Sequence, residues 1–366
     1  MTTSETVILA AGGTGGHLYP AEALAQELLG RGHKVVIITD KRGAAFQNLG
    51  DQVEVLTVPA ATFKAGIVNK INAVLEILSG ILQAAKLLRK YRPAIVVGFG
   101  GYPSFPTMFA AQWTGLKTII HEQNAVLGKA NLHLAGKAVA IAASLQDTRG
   151  IKDANQSKVT VTGNPVRPAI RALRALPYPP LDGVFEIFIT GGSTALTHVF
   201  NDAVPVAIML LPEDLRQRVH VVHQCRAGEA AATAESYRKA GVKAEIKEFF
   251  SDMPERLAAC HLFIGRSGAS TVAEISVAGR PAIFVPYPGH ADRQQTYNAE
   301  PLEQKGGCLI IQEEDFTSQT LAAELEKFMK DPALLQQAAA TAKSCGQPEA
   351  VKNLADLVEG TLQRGG

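Results

Sequence analysis

The order of apolar and polar positions divides the chain into short β-branched runs and longer segments with helical spacing. In the first half, TVILAAG, KVVIITD, VEVLTVP, AIVVGFG, KTIIHEQ, AVAIAAS and KVTVTGN are continuous apolar runs of strand length. Between them, residues 20–30 and 68–91 repeat apolar positions at helical spacing. Strands that are apolar throughout belong to sheets covered on both faces, and their alternation with helices indicates parallel sheets. NPVRPAIRALRALPYPPLDG then interrupts the pattern and reads as a linker followed by a short helix. The pattern restarts with FEIFITGGS, RVHVVHQC, AEIKEFF, LFIGRSG, PAIFVPY and CLIIQEE, and from about Ser318 onward only helical spacing remains. The expected fold is α/β, with two doubly wound domains over residues 1–164 and 165–345. Each opens on a strand, a glycine-rich turn and a helix.

Composition narrows the classes. A chain of 366 residues exceeds what one compact core usually serves. With 36 basic and 34 acidic residues the net charge is +2, so no nucleic-acid partner held by bulk charge is expected. Cys225, Cys260, Cys308 and Cys345 lie far apart with no CxxC pair, which fits a reducing compartment better than disulfides or zinc. The N-terminal MTTSETVILAAGG has neither a basic lead nor a sustained apolar region, so no signal peptide is expected. No run of about 18 consecutive apolar residues occurs, so no membrane span is expected either, and the chain reads as cytoplasmic.

The opening turn, AAGGTGGHLYP, carries the first chemistry. Gly12, Gly13, Gly15 and Gly16 surround Thr14 and let backbone amides approach a ligand, with a helix start behind them that favours an anion. A P-loop would place lysine where His17 stands, and a dinucleotide loop starting at Gly13 and Gly15 meets Leu18 where its last glycine belongs. Asp40, at the end of the second run, keeps a nicotinamide-dinucleotide reading open. His17 sits at the expected helix start, where the dipole disfavours imidazolium and suits a proton-accepting histidine.

The second half repeats the device. Arg266, Ser267, Gly268 and Ala269 end a strand and open a helix, and Glu274 lies about one turn inside, where a carboxylate can accept both hydroxyls of a ribose. Gly265 to Ala269 approximates the hydrolase elbow GxSxG without its last glycine, a serine-hydrolase alternative. PYPGHADRQQTYNAE then crowds His290, Asp292, Arg293, Gln294, Gln295 and Asn298 onto one strand-to-helix turn, where paired glutamines suit sugar hydroxyls and amides. No Asp-x-Asp pair occurs, so no metal and no cofactor are expected, and a diphosphate would be held by amides and basic side chains.

GGTGGHLYPA, GFGGYPSFP, HEQNAVLGKAN, VTGNPVR, GGS, RSGASTVAEI and DRQQTYNA, in this order and spacing over about residues 6–310, resemble one family. It is the bacterial undecaprenyl-pyrophosphoryl-muramoylpentapeptide N-acetylglucosaminyltransferases. The resemblance implies a GT-B fold whose two Rossmann-like domains face across a cleft, with a C-terminal helix over 346–366 packing back on the first domain. It implies an inverting enzyme that moves GlcNAc from UDP-GlcNAc to the C4 hydroxyl of MurNAc in the lipid-linked acceptor of peptidoglycan synthesis. By motif it assigns Arg167, Ser193 and Glu274 to the UDP moiety, Phe250 to uracil through its backbone, and Gln294 and Gln295 to GlcNAc. The turns Gly191–Gly192 and Ser267–Gly268–Ala269 are then the diphosphate cradle. Thr14, Gly15, Gly16, His17, Tyr102, Glu122 and Asn124 fall on the acceptor side, with His17, Glu122 and Asn124 the catalytic candidates and His17 the base.

One stretch departs from the family, which usually continues GGS with Gln-Gly-Ala. Here Thr194 and Ala195 follow Ser193. Two alternatives stay open, a related UDP-GlcNAc-using GT-B transferase or epimerase and, suggested by this departure, a non-catalytic UDP-sugar-binding protein. Finally, Ile67, Ile71, Val74, Leu75 and Leu78 recur at helical spacing, flanked by Lys64, Lys70, Lys86, Arg89 and Lys90. Periodicity alone reads such a stripe as core. The resemblance instead implies peripheral contact of residues 64–90 with an anionic membrane on its inner face.

Overall fold

β1 (Thr6–Ala10) leads into α1 (Gly15–Gly30), β2 (Lys34–Thr39), β3 (Glu54–Thr57), α2 (Ile67–Tyr91) and β4 (Ile95–Gly98). Next come α3 (Gly101–Trp113), β5 (Thr118–Glu122), α4 (Lys129–Leu134), β6 (Ala140–Ala143), α5 (Asp153–Gln156) and β7 (Val159–Val161). The computed structural model describes residues 4–13, 15–41, 43–62, 65–192 and 198–363. The chain divides into two compact units, residues 1–167 with 348–366, and residues 168–347.

In the first unit the described strands form a parallel seven-stranded sheet in the order β3-β2-β1-β4-β5-β6-β7, with Val7 opposite Val35 on one side and Ile95 on the other. The unbroken apolar run of β1 has a direct cause. Val7 and Leu9 pack with Leu24, Leu28, Leu354 and Val358 on one face, while Ile8 and Ala10 pack with Ile81, Ala84 and Met108 on the other. Neither face meets water, so no position in the strand can be polar. Leu9→Ala would open a cavity here at a cost of about 2–5 kcal/mol.

The second unit runs α6 (Pro168–Ala172), β8 (Phe185–Thr190), α7 (His198–Leu210), α8 (Glu213–Arg216), β9 (Val219–Gln224), α9 (Ala227–Lys239) and β10 (Lys243–Lys247). It continues with α10 (Met253–Ala259), β11 (Leu262–Gly265), α11 (Ala269–Ala278), β12 (Ala282–Phe284), α12 (Gln294–Glu303), β13 (Cys308–Ile310), α13 (Ser318–Lys330) and α14 (Pro332–Cys345). The six strands are again all parallel, in the order β10-β9-β8-β11-β12-β13. Both sheets therefore reverse their winding beside their own first strand, the switch point where ligands of doubly wound folds bind.

α15 (Ala350–Gln363) returns to the first unit and packs on α1. Arg31 bonds Asp356 and Glu359 at 2.7 Å each, and the His33 Nε2 lies 3.1 Å from Glu359. This charged clasp joins the two ends of the chain.

α2 departs from the reading as core. Its buried face is Ala73, Gly80, Ile81, Ala84 and Leu88. The large residues point outward instead, with Ile67 78%, Ile71 55%, Leu75 60% and Leu78 51% exposed. Close approach explains the choice of face, since a Cβ on Gly80 would lie 2.0 Å from the Pro59 carbonyl oxygen. Only the small-residue side fits against the neighbouring backbone. By length and composition α2 also qualifies, alone among the described residues, as a helix able to cross a membrane, although no unbroken apolar run predicts it.

Candidate active site

Both switch points are built from glycine turns. After β1, Gly13 has φ 92°, and after β4, Gly100 and Gly101 have φ 76° and 69°, backbone that side chains other than glycine rarely adopt. Gly12 is packed so closely that a Cβ would lie 2.7 Å from Pro103 and 3.1 Å from the Asp40 carboxylate. α1 starts at Gly15, earlier than the sequence pattern suggests, which puts Gly15, Gly16 and His17 in its first turn. α3 starts at Gly101 with no side-chain cap. Amides of two helix starts thus converge beside β1 and β4, an arrangement suited to a negatively charged ligand.

His17, Tyr102, Glu122 and Asn124 gather at this end of the sheet. A Cβ on Gly101 would meet the His17 ring at 3.2–3.3 Å, and the His17 Nδ1 lies 3.1 Å from the Gln123 side chain. The Tyr102 hydroxyl donates to Asp40 at 3.4 Å. Glu122, 2% exposed, is consumed by its own loop. One carboxylate oxygen accepts the Asn124 backbone and side-chain N–H groups at 3.0 and 3.2 Å. The other accepts the Gly128 amide at 2.9 Å and Asn131 Nδ2 at 2.8 Å. These bonds shape the segment from β5 to α4 and orient Asn124. Thr14 lies outside the described residues. Arg167 belongs to the first unit, its guanidinium 4.7 Å from the Tyr19 ring centroid.

In the second unit, Gly191 and Gly192 follow β8, and Gly192, at φ 74°, donates its amide to the Thr190 hydroxyl at 2.9 Å. Ser193, Thr194 and Ala195 lie outside the described residues, so the family departure carries no structural account. Across the switch point, Gly268 precedes α11 and offers it no side-chain cap. A helix start of this kind is suited to an anion. Glu274 is buried on α11 within a turn and a half of Ala269, the first residue of that helix. Gln294 and Gln295 start α12, and Gln295 accepts the Tyr287 amide at 3.0 Å. Phe250 is core, its ring edge-on to Phe188 at 5.7 Å.

The hydrolase reading falls on geometry. Ser267 is fully buried and its hydroxyl has no hydrogen-bond partner among the described residues, so nothing activates it as a hydrolase nucleophile. Arg266, 3% exposed, is committed to the Val285 carbonyl at 3.1 Å and to Glu313 at 2.5 Å, a structural cation rather than a loose phosphate ligand.

Three further residues stand inside the sequence motifs without a role of their own there. Gln123 bonds His17, Asn131 bonds Glu122, and Asn298 Nδ2 bonds the Ser267 carbonyl at 3.1 Å. Each sits beside an assigned residue, and that adjacency is the signal the sequence offers.

Two doubly wound parallel-sheet domains, each with a glycine turn at its switch point, define a GT-B fold. The chain belongs to glycosyltransferase family 28, matching its N-terminal domain over residues 7–143 and its C-terminal domain over residues 186–357. It is 50% identical, over 98% of its length and 95% of the relative's, to the UDP-N-acetylglucosamine--N-acetylmuramyl-(pentapeptide) pyrophosphoryl-undecaprenol N-acetylglucosamine transferase of Rhodospirillum centenum. The protein of the same name from Zymomonas mobilis is 44% identical over 98% of this chain and 93% of its own. The crystal structure of MurG from Acinetobacter baumannii superposes with a TM-score of 0.77 at 28% identity, covering 97% of this chain and 99% of that one. Membership of a glycosyltransferase family sets the nicotinamide reading of Gly13, Gly15 and Asp40 aside.

Proposed function

We propose that the chain transfers GlcNAc from UDP-GlcNAc to the C4 hydroxyl of MurNAc in undecaprenyl-pyrophosphoryl-MurNAc-pentapeptide, with inversion at the anomeric carbon. The observation that carries the substrate assignment is the 50% identity to a transferase of that name along 98% of the chain.

In this reading the second unit holds the donor, with Arg167 of the first unit as its one addition. Glu274 accepts the ribose hydroxyls, Gln294 and Gln295 bond GlcNAc, the Phe250 backbone and Ser193 meet the UDP moiety with Arg167, and the turns at Gly191–Gly192 and Ser267–Gly268–Ala269 stabilise the departing diphosphate. The first unit holds the acceptor at Thr14, Gly15, Gly16, Tyr102 and Asn124, with Glu122 positioning Asn124. His17 takes the proton of the C4 hydroxyl as that oxygen bonds the anomeric carbon. The bond from the anomeric carbon to the UDP oxygen breaks, and its electron pair leaves with UDP.

The exposed face of α2 is the membrane contact. Ile67, Ile71, Val74, Leu75 and Leu78 form an apolar stripe on the solvent side, and Lys70, Lys86, Arg89 and Lys90 lie along the same helix. Apolar side chains enter the headgroup boundary while each nearby cation adds about 1 kcal/mol on an anionic surface. The enzyme in this reading is peripheral on the inner face of the cell membrane, where a polyprenyl-linked acceptor resides. Lys64 lies outside the described residues.

Product analysis tests the reaction. Incubation with UDP-GlcNAc and a lipid-linked MurNAc-pentapeptide is expected to give the GlcNAc–MurNAc disaccharide. Conversion of UDP-GlcNAc to its C2 epimer, or donor binding with no product, would contradict it.

A further inference from the structure

The base assigned to His17 requires one particular ring nitrogen to be unprotonated, and the surrounding hydrogen bonds specify which. Two backbone carbonyls, which can only accept, anchor those bonds. His121 Nε2 lies 3.2 Å from the Gly163 carbonyl, so this nitrogen carries a proton. His121 is fully buried, and burial pulls its pKa down to about 4, with the Gly163 carbonyl opposing and His17 assisting. It is therefore neutral, and its Nδ1 is a lone pair.

Gln123, 2% exposed, faces that lone pair at 2.9 Å and the Phe99 carbonyl at 3.0 Å with the same side-chain atom. Both partners are acceptors, so the atom is the amide nitrogen, and its two protons are spent on them. The amide's other end is then the oxygen, and it lies 3.1 Å from His17 Nδ1. An amide oxygen cannot donate, so the proton of that bond sits on His17 Nδ1. The second ring nitrogen, Nε2, stands beside Gly101, which has no side chain to cover it.

We infer that Gln123 is a positioning residue that locks His17 in the Nδ1–H tautomer and leaves Nε2 as the proton acceptor. The consequence for catalysis rests on the reading of His17 as base, while the tautomer itself does not. The relay runs from Gly163 through His121 and Gln123 to His17, with the Phe99 carbonyl as its anchor. A free neutral histidine prefers its proton on Nε2, which would block the lone pair that the reaction uses. Gln123 reverses that preference, the same service that a carboxylate gives the histidine of a hydrolytic triad.

The test reads the tautomer directly. Protein labelled with 15N-histidine, without substrate, is examined by long-range proton–nitrogen correlation at about pH 8, above the ordinary histidine value of about 6.5. The His17 signals are assigned by their loss in His17→Ala. The expected result is a protonated Nδ1 and an unprotonated Nε2. Wild-type His17 carrying its proton on Nε2 would overturn the relay.

Two substitutions extend the test. Gln123→Met should return His17 to the Nε2–H form and lower kcat roughly 10- to 100-fold, with the donor KM unchanged because the donor binds the second unit. Gln123→Glu keeps an acceptor for His17 Nδ1–H and adds a charge that favours imidazolium, at the cost of setting its other oxygen against the Phe99 carbonyl and His121 Nδ1. It should keep the tautomer, and the acid-side limb of its pH–rate profile, where the base loses its proton, should move to higher pH. An unchanged tautomer and unchanged kcat in Gln123→Met would refute the inference. Full turnover in His17→Ala would instead refute the base reading of the previous section, and the spectrum would still decide the tautomer.

Discussion

The Thr190 hydroxyl donates to the Gln224 side-chain oxygen at 2.5 Å and accepts the Gly192 amide at 2.9 Å. Gln224 in turn donates to the Glu248 carbonyl at 3.2 Å. One buried pair therefore ties the glycine turn after β8 to the segment that leads into Phe250, the two places assigned to diphosphate and uracil. Gln224→Leu would leave these groups unpaired, a cost of about 1–3 kcal/mol at a site only 8% exposed. Steady-state kinetics should show the KM for UDP-GlcNAc rising several-fold with a smaller change in kcat. A donor KM equal to wild type would show that the turn does not depend on this pair.

Glu274 is 7% exposed on α11, and the proposed reading gives its carboxylate the ribose hydroxyls. Glu274→Ala should raise the donor KM by roughly 10- to 100-fold, the loss of one or two charge-assisted bonds. A donor lacking the ribose 2′-hydroxyl supplies the control. It should bind the variant about as well as normal donor does, and additive losses would remove Glu274 from the ribose.

The outward face of α2 can be altered without touching the core, because Ile71, Leu75 and Leu78 are each more than half exposed. Replacing all three by serine should leave the thermal midpoint within a few degrees of wild type. Co-sedimentation with vesicles rich in phosphatidylglycerol should fall sharply. Equal sedimentation of variant and wild type would mean that another surface meets the membrane.

The clasp on α15 gives the stability a pH dependence. The bond from Arg31 holds the Asp356 carboxyl below the ordinary value, and Lys352 assists. For Glu359, burial acts to raise the value, but bonds from His33 and Arg31 overcome it and the net shift is downward. Groups depressed by folding stabilise the native state fully above their unfolded values, about 3.9 for Asp and 4.3 for Glu, and less as pH falls through the depressed folded values. Arg31→Ala should cost about 1 kcal/mol at neutral pH, discounted because the clasp is partly exposed. Denaturant titration should find the gap between variant and wild type narrowing in acid. A gap that widened in acid would contradict the assignment.

Much of this architecture is legible in the order of residues alone. β1 is legible because Val7 to Ala10 must be apolar on both faces, and the same holds for the first strand of the second unit, where Ile187 and Phe188 enter different cores. The start of α1 is less legible, since glycines disfavour helix and Gly15 begins one only because the switch-point turn positions it. Periodicity misplaces the outward face of α2 for a related reason. Large apolar residues at helical spacing normally mark the core, but here the neighbouring backbone admits only the side bearing Ala73, Gly80 and Ala84. Gln123 is visible in its motif, but its role is not, because its partners His17, Phe99 and His121 come from α1, the end of β4 and β5.

The most direct test of the central claim is UDP release from UDP-GlcNAc by the purified protein, measured with and without a lipid-linked MurNAc-pentapeptide. The predicted result is release that requires the acceptor and matches, mole for mole, the disaccharide formed. Release at the same rate without acceptor, or no release when both substrates are present, would contradict the account.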